Sequence, residues 1–560
     1  MKKEILTLLV SIISLSLYAI PAYRGPHQIK QKDGSILTLY NNGDEHFHYL
    51  TDDNGKWYAF DESGQLVETA ALSEAEVIER RESAPTRIRQ RQREAANEVN
   101  LAPHGLVILV NFTNSTMHPN NTRDEFDRMM NEHNYTYQAA KGSVRDYFAE
   151  QSFGKYQPTF DVVGPVTLDT TYQYYGTDYA GQDRRPGRMI ADACKKADTE
   201  FNVDFTRYDN DNNGEVDFVF VFYAGHGQAD NPTEPELIWP HMSYVKDGSF
   251  INCVLDGKTI NQYACGNELP FGKTDIHVGI STACHEFSHV MGLPDMYNTE
   301  DDESPTLGRW DVMDAGPYNN KGRTPPAYSG YERFYCGFVT PTVLNSPCDV
   351  TLTEIQRSGQ VLLITSTGQH NLEGDNPNPA TFYVLENRQK TKWDRYLPGR
   401  GLLITKIQYN TASWLSNRVN INARSRIEIQ AADSVLSIQG DANDTYPGGK
   451  KVTSFTPVFE QYTVTDITEK DSVIHFKFMG GGEEIYLSND VVESEKYVIR
   501  TLSDGIIIDN LNSTKAISVY DITGQIISEQ KNTDTTIAIS LNKGIYIIKI
   551  DNEINKIIIR

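Results

Sequence analysis

The chain has 560 residues, of which 39% are hydrophobic and 23% are charged, and it contains 31 Tyr and 22 Phe. This length exceeds what one hydrophobic core organises, so we expect roughly three or four structural units, and the apolar content excludes a disordered chain. The formal net charge of −23 argues against nucleic acid as a partner, because binding to phosphates needs a basic face.

Residues 1–19 have the pattern of a secretory signal peptide. Two lysines precede an apolar run from Ile5 to Leu17, and the small residue Ala19 follows. The run is shorter than the roughly 20 residues that a membrane span needs, and no later stretch is apolar enough. We therefore expect an exported, extracellular protein without a transmembrane anchor.

Residues 20–100 are predicted to form a propeptide that consists of a small β unit and a basic linker. Residues 31–67 alternate β-type runs with Asp-Gly and Asn-Gly turn signals, as hairpins do. The stretch 73–100 is polar and rich in arginine, and it offers cleavage sites between Arg87 and Arg93. An accessory domain with a helical linker is the alternative interpretation.

Residues 101–345 are predicted to form an α/β catalytic domain. The nearly continuous apolar runs at 105–112 and 217–227 are typical of strands that are buried on both faces. Three segments between these runs have helical spacing with charged faces, and a further helix is expected over residues 279–292. The alternation of strands with helices favours a layered α/β architecture.

Residues 346–480 are predicted to form a β-sandwich domain, because short β-type runs alternate there with Gly, Pro and Asn. The predicted strands are VTLTEI, QVLLITS, TFYVLENRQ, GLLITKIQYN, RIEIQA, SVLSIQG, YTVTDI and SVIHFKFM. Three glycines at 480–482 mark a break. Residues 483–560 alternate again and are predicted to form a separate small β module.

The segment CHEFSHVMGLPD, residues 284–295, carries the strongest signal for chemistry. His285 and His289 are four residues apart, so they project from one face of a helix, where their imidazole nitrogens can bind one catalytic zinc ion. Glu286 lies beside the metal and is predicted to be the general base. It would accept a proton from a zinc-bound water that attacks the scissile carbonyl, and then pass this proton to the leaving amine.

Asp295 is predicted to be the third zinc ligand. Gly292 allows a sharp exit from the helix, so the chain can turn back and bring this carboxylate to the metal. The alternatives for the third ligand are Asp301, Asp302 and Glu303. The fourth coordination position stays open for water.

A second motif downstream supports the catalytic interpretation. In GRWDVMDAG, residues 308–316, Met313 is placed to form a Met-turn beneath the metal. A bare HExxH also occurs by chance. The Gly and Asp at metzincin spacing, the Met-turn and the export signal together favour a catalytic zinc site over a chance match.

The segment YDNDNNGEVD, residues 208–217, is similar to a calcium-binding EF-hand loop. Asp209, Asp211 and Asn213 occupy positions 1, 3 and 5, Glu215 can offer its carbonyl at position 7, and Asp217 stands at position 9. Position 12 is a phenylalanine instead of the usual bidentate glutamate, so calcium would need a further ligand. A plain Asn/Asp/Gly turn before a strand is the alternative.

Taken together, these motifs resemble the immune inhibitor A-like metallopeptidases of the M6 family, over roughly residues 100–480. The matching segments are HEFSHVMGLPDMYN, GRWDVMDAG, YDNDNNGEVDFVFVFYAGHG, IWPHM and FYVLENRQKTKWDRYLPGRGLLI. The resemblance implies a secreted zinc metalloendopeptidase that is made as a zymogen and cleaves proteins or peptides. It also implies a structural role for calcium.

The C-terminal segments ISVYDITGQII and GIYIIKIDNEINKIIIR resemble the sorting domain of type IX secretion in Bacteroidetes. This resemblance implies an export machinery as a partner. Two other functions stay open, namely a zinc hydrolase with a non-peptide substrate and an adhesion protein with a degenerate metal centre. The intact Glu286 speaks against degeneracy.

Overall fold

The structure is a computed structural model. It describes residues 26–30, 35–43, 48–60, 66–73, 76, 102–178, 183–229, 231, 234–245, 251–270, 272–299, 304–421, 424–485, 487, 491–493, 497–502, 505–509, 511, 515–532, 536–551 and 553–559. The predicted signal peptide and nearly all of the predicted basic linker lie outside these residues. Within them, no helix is both long enough and apolar enough to cross a membrane.

The N-terminal strands form an antiparallel meander in which each strand pairs with the next. They are β1 His27–Lys30, β2 Ile36–Gly43, β3 His48–Asp52, β4 Trp57–Phe60 and β5 Leu66–Thr69. The rings of Tyr49 and Trp57 stack at 3.9 Å between β3 and β4. Asn41 of β2 donates a hydrogen bond to the carbonyl of Ala229 at 3.4 Å, so the meander contacts the unit that follows.

A five-stranded sheet in the order β10-β13-β9-β6-β7 forms the centre of that unit. The strands are β6 His104–Asn111, β7 Thr159–Thr167, β9 Val219–His226, β10 His241–Tyr244 and β13 Gln262–Leu269. All neighbouring pairs are parallel except β10 and β13. The apolar runs of β6 and β9 are buried, as expected for strands that are covered on both faces.

Helices cover both faces of this sheet. They are α1 Arg123–Asn131, α2 Val144–Gln151, α3 Tyr172–Tyr175, α4 Pro186–Phe201, α5 Ser281–Val290 and α6 Gly330–Tyr335. Side chains of α1, α2 and α5 enter one core, and those of α4 enter the core on the other face. Phe287 of α5 packs against Phe218 and Phe160, with ring centroids at 4.3 and 4.8 Å, which fixes α5 against the sheet.

A smaller sheet borders this unit, in the order β11-β12-β8. Its strands are β8 Glu215–Val216, β11 Cys253–Leu255 and β12 Lys258–Ile260. All six cysteines of the chain are buried, and none forms a disulfide.

Two further sheets follow, in the orders β14-β16-β17-β18-β21 and β22-β23-β15-β24, with the pair β19-β20 beside them. The strands are β14 Thr342–Val343, β15 Cys348–Leu352, β16 Leu362–Thr365, β17 Thr381–Arg388, β18 Gly401–Gln408, β19 Asn420–Ile421, β20 Arg424–Ser425, β21 Ile427–Ile429, β22 Val464–Lys470, β23 Val473–Phe478 and β24 Glu484–Ile485. The short helices α7 Ile355–Ser358 and α8 Thr411–Leu415 interrupt them. Side chains of both sheets share one core.

The segment SVLSIQG, residues 434–440, is not a strand, contrary to the sequence-based prediction. Ser434 has a φ of 62°, which a strand does not accommodate, and the carboxylate of Asp433 accepts a hydrogen bond from the backbone N–H of Val435 at 3.0 Å. Val435 is 59% exposed. Leu436 packs against the core around α5, whereas Val435 and Ile438 are exposed, so the alternation does not form the buried face of a strand.

The C-terminal strands form two four-stranded sheets, in the orders β25-β26-β27-β30 and β29-β28-β31-β32. The strands are β25 Val491–Glu493, β26 Val498–Leu502, β27 Gly505–Asp509, β28 Lys515–Asp521, β29 Ile526–Asn532, β30 Ile537–Ser540, β31 Gly544–Ile550 and β32 Glu553–Ile559. Most of their buried side chains form a separate core.

The core around α5 does not end at the predicted boundary at residue 345. Tyr331 and Phe334 of α6 contact Phe382 of β17, with ring centroids at 6.3 and 6.4 Å, and Tyr331 also contacts Trp414 of α8. These side chains belong to one continuous apolar cluster. The mixed α/β architecture with several sheets confirms the fold class that was predicted at this coarse level.

Candidate metal centre

Helix α5 presents His285 and His289 to a common point. The two residues are four positions apart, so they lie one above the other on the helix, and each is only 2% exposed. The Nδ1 atom of His285 lies 2.8 Å from the carbonyl oxygen of Val312, and Nδ1 of His289 lies 2.8 Å from that of Leu293. A carbonyl only accepts hydrogen bonds, so both Nδ1 atoms carry a proton, and Nε2 of each ring is the atom that is left to bind a metal.

Asp295 returns to the two imidazoles after the helix ends. Gly292 has a φ of 85°, which glycine adopts without strain, and it turns the chain back toward α5. The Oδ1 atom of Asp295 lies 3.1 Å from Nε2 of His285 and 3.5 Å from Nε2 of His289. Asp295 is fully buried, and in the described part of the chain its Oδ1 accepts no hydrogen bond.

This donor set fits a zinc ion. Two imidazole Nε2 atoms and one carboxylate oxygen converge on one point, where a zinc ion would bind the nitrogen lone pairs and neutralise the buried carboxylate. Ligands at about 2.0–2.2 Å from a tetrahedral zinc lie about 3.3 Å from each other, close to the separations between Asp295 and the imidazoles.

The charges of this cluster support the same conclusion. Burial lowers the pKa of His289, but the facing carboxylate of Asp295 outweighs burial and raises this pKa to about 9. Burial also acts to raise the pKa of Asp295, yet the two imidazoles hold it well below its usual range. The pocket therefore attracts positive charge, which is what a bound divalent cation supplies.

Glu286 and Met313 complete the centre. Glu286 is 2% exposed. One oxygen of its carboxylate and one ring nitrogen from each of His285 and His289 all lie within 4.8 Å of one another. Met313 is fully buried, and its carbonyl accepts a hydrogen bond from the backbone N–H of Met296 at 2.7 Å. Val312 of the same turn provides the carbonyl that orients His285, so the turn helps to position this ring.

In the predicted calcium loop, acidic side chains accept hydrogen bonds from the loop itself and from a lysine. Asp209 accepts hydrogen bonds from the backbone of Asn213 at 2.9 Å, and its other oxygen lies 2.6 Å from Nζ of Lys258. Burial raises the pKa of Asp217 to about 6, although Asn210 donates to this carboxylate. Asp209 and Asp211 both accept from the backbone N–H of Asn213, and calcium binding stays a prediction.

Two segments of the chain match known protein families. Residues 105–337 match the immune inhibitor A peptidase M6 catalytic domain, and residues 502–560 match the secretion system C-terminal sorting domain. This chain contains an M6 peptidase domain. The two resemblances that the sequence motifs indicated are thereby confirmed.

Relatives of the M6 domain include two named proteins. Immune inhibitor A of Bacillus thuringiensis subsp. alesti is 28% identical over 215 residues, which cover 33% of this chain and 30% of the relative. The pre-pro-metalloprotease PrtV of Vibrio cholerae serotype O1 is 22% identical over 285 residues, which cover 44% of this chain and 30% of the relative. The chain thus spans about a third of the length of these relatives.

The sorting-domain match bears on where the protein resides. It covers the strands β27 to β32 of the two C-terminal sheets and leaves out β25 and nearly all of β26. The C-terminal secretion sorting domain confirms the prediction of an extracellular protein.

The M6 domain contains all the residues that the sequence predicted for the centre, namely His285, Glu286, His289, Asp295 and Met313. The alternative ligands Asp301, Asp302 and Glu303 lie outside the described residues. The sequence analysis missed Asn417, whose side chain contacts Asp295 from outside the M6 domain. No local pattern marks this asparagine, because it is 122 residues from Asp295.

Proposed function

We propose that the chain is a secreted zinc-dependent metalloendopeptidase, made as a zymogen, that hydrolyses peptide bonds of extracellular proteins. The observation that supports this most is the convergence of two imidazole lone pairs and the Asp295 oxygen beside the buried carboxylate of Glu286. The match to a peptidase catalytic domain and the name of one relative, a pre-pro-metalloprotease, support peptide bonds as the substrate.

The proposed role of each side chain in the centre follows from its chemistry. His285, His289 and Asp295 would hold the zinc ion, which supplies Lewis acidity to the scissile carbonyl and to the attacking water. Glu286 takes a proton from this water and returns it to the leaving amine. A carboxylate suits this role because it can accept and donate the same proton within one active site.

The finer fold assignment belongs to the same proposal. The HExxH helix, the glycine turn to Asp295 and the turn at Met313 favour a metzincin-like catalytic domain. The two sheets between residues 342 and 485 share a core, which favours the β-sandwich interpretation. Calcium in the loop from Asp209 to Asp217 is proposed to be structural.

Latency is proposed to come from the N-terminal unit, residues 20–100. The meander contacts the M6 domain through Asn41, which is 1% exposed. Cleavage between Arg87 and Arg93 would separate this unit from the catalytic domain. Limited digestion at this stretch is therefore expected to raise the rate of substrate cleavage.

The test is cleavage of an unfolded protein by the purified full-length chain, before and after this limited digestion. A zinc chelator should abolish cleavage, and added zinc should restore it. Glu286→Gln should retain zinc but lower the rate by about 10²- to 10⁴-fold, the usual contribution of a general base. Glu200→Gln, on the exposed face of α4, is the matched control.

A folded, zinc-loaded chain that cleaves no protein would contradict the peptidase proposal. In that case, hydrolysis of non-peptide esters and amides by the same samples would separate a different zinc hydrolase from an adhesion protein. Equal activity of Glu286→Gln and of the wild type would refute the role of Glu286 alone.

A further inference from the structure

The third ligand of the metal centre is held by a side chain that lies outside the M6 domain. Asn417 Oδ1 accepts a hydrogen bond from the backbone N–H of Asp295 at 2.7 Å. Its Nδ2 donates to Asp295 Oδ2 at 2.5 Å. Asn417 is 6% exposed and Asp295 is fully buried, so this pairing takes place away from solvent.

Asn417 is itself held firmly by the end of helix α8. Its backbone N–H donates to the carbonyl of Trp414 at 3.2 Å, and the N–H of Arg418 donates to that of Ser413 at 2.9 Å. With a φ of 55° at Asn417, this is a Schellman motif, in which the residue after the helix adopts a left-handed conformation. Trp414 is 1% exposed and anchors the helix in the shared core.

A second contact joins the same two segments. Asn420 Nδ2 donates to the carbonyl of Met296 at 2.7 Å, and its Oδ1 accepts hydrogen bonds from the backbone of Arg426 and Ile427. The hydroxyl of Thr299 donates to the carbonyl of Asn417 at 3.4 Å. The chain that carries Asp295 is therefore fixed along its length by the segment after α8.

The amide determines which way the carboxylate of Asp295 points. Oδ1 faces the two imidazoles, and Oδ2 has Asn417 as its donor. Without this amide, Oδ2 would be a buried acceptor with no donor from Asn417, which is unfavourable. The carboxylate would relieve this cost by rotating away from the geometry that a metal needs.

The left-handed backbone alone does not explain an asparagine at this position. Glycine adopts this conformation at least as readily and is the commonest residue in the motif. Glycine, however, has no amide to reach Asp295. The two roles of Asn417 can therefore be separated by one substitution.

We propose that Asn417 is a positioning residue for the zinc ligand Asp295, so that the metal centre is completed by a segment beyond the M6 domain. This inference rests on the proposed function in one respect, namely that the centre holds zinc. It concerns the affinity for the metal and does not depend on the substrate.

The experiment compares zinc affinities of full-length chains by competition with a chromophoric chelator. All chains carry Glu286→Gln so that self-digestion does not interfere. Asn417→Gly keeps the left-handed backbone and removes the amide. We expect its zinc affinity to fall by about 10- to 100-fold, the usual effect of losing a residue that holds a metal ligand.

The matched control is Asn410→Gly, at the other end of the same helix. Asn410 caps α8 through a hydrogen bond from the backbone N–H of Ser413 and does not contact Asp295. It should lower the stability of the helix and leave the zinc affinity within about twofold of the parent chain. An equal loss of affinity in both variants would show that α8 acts only as a structural support, and would overturn the proposal.

Asn417→Asp provides a second, isosteric variant. It can still accept from the backbone of Asp295, but it faces Oδ2 with an oxygen instead of a donor. We expect a loss of zinc affinity at least as large as with glycine. A parent-like affinity of either folded variant would overturn the role of the amide, whereas absence of protein cleavage by a zinc-loaded wild type would refute only the proposed function.

Discussion

Gly292 connects the helix that carries the two histidines to the loop that carries Asp295. Its φ of 85° lies in the left-handed region, and the nearest atoms to an added Cβ belong to Tyr335, at 3.4 Å or more. The left-handed backbone conformation, and not a steric clash, therefore disfavours a side chain at this position. The next residue, Leu293, provides the carbonyl that orients His289.

We predict that Gly292→Ala weakens zinc binding as well as stability. A left-handed alanine costs about 1–2 kcal/mol, and relief of this strain would displace the carbonyl of Leu293 and the carboxylate of Asp295. Gly257→Ala is the control, because Gly257 has a φ of 76° and no neighbour within 4 Å of an added Cβ. Chelator competition should find a loss of affinity only for Gly292→Ala. Equal affinities would mean that the loop tolerates the change.

A buried carboxylate beneath the Met-turn makes stability depend on pH. Burial raises the pKa of Asp311 to about 7, the neighbouring Asp314 and Glu386 act in the same direction, and Arg388 acts against them. Burial likewise raises the pKa values of Glu332 and Glu386. Between about pH 4 and pH 7 the folded chain thus binds more protons than the unfolded chain, so stability falls as the pH rises through this window.

We predict that Asp311→Asn makes the free energy of unfolding depend less on pH. The slope should change by up to about 1.4 kcal/mol per pH unit, the largest that one titrating group can give. The amide oxygen can still accept the hydrogen bond that the backbone N–H of Met313 donates at 2.8 Å. Urea unfolding of metal-free chains between pH 4.5 and pH 7.5 measures the slope, with the exposed Asp275→Asn as control. An unchanged slope would mean that Glu332 and Glu386, and not Asp311, cause the pH dependence of stability.

Among the elements, the loop before β8 concentrates acidic side chains. In the described structure Lys258 of β12 compensates the charge of Asp209, whose side chain is fully buried. A calcium ion would take over this role and would also neutralise Asp211 and Asp217. The alternation of acidic residues was visible in the sequence, whereas the lysine comes from a strand 49 residues away.

We predict that calcium stabilises the wild-type chain and stabilises Asp211→Asn less. Binding to the folded state alone adds about 2.7 kcal/mol when the ligand is at 100 times its dissociation constant, so the melting temperature should rise with calcium concentration. Differential scanning calorimetry with calcium or a calcium chelator measures this shift. Asp275→Asn should behave as wild type. If the wild type does not respond to calcium, the loop is only a turn.

At the scale of the whole molecule, the M6 domain and the sheets that follow it share one core. Arg388 of β17 pairs with Asp394 at 2.7 Å and also donates to the carbonyl of Ala327 at 3.1 Å, all of it buried. The backbone N–H of Gly330 donates to Glu386 at 2.9 Å. Polar and apolar contacts therefore both cross the boundary that composition suggested at residue 345.

We predict that a fragment of residues 102–345 does not fold stably, whereas residues 102–485 do. Each large apolar side chain that loses its cover costs about 1.5–3 kcal/mol, and a few such losses equal the typical stability of a domain. Near-ultraviolet circular dichroism and resistance to proteolysis of the two fragments provide the measurement. A cooperative, zinc-binding 102–345 fragment would show that the M6 domain is independent of the segment that holds Asn417.

Much of the site was predictable because its information is local. A helix brings residues four apart onto one face, so the sequence alone predicts that His285 and His289 can bind the same metal ion. Continuous apolar runs predict buried strands, and β6 and β9 follow this rule. The segment SVLSIQG also has a β-type pattern, but it forms no strand, and its Val435 and Ile438 are exposed.

The sequence by itself predicted the metal-binding motif, the strands β6 and β9 of the central sheet and the alternating C-terminal strands, because helical and strand periodicities act over a few residues. Only the tertiary structure decided that Asn417 holds Asp295, that Lys258 closes the acidic loop and that one core spans residue 345. The physical reason is that hydrogen bonds and burial depend on distance in space. Contacts between residues 49 to 122 positions apart leave no periodic trace in the chain.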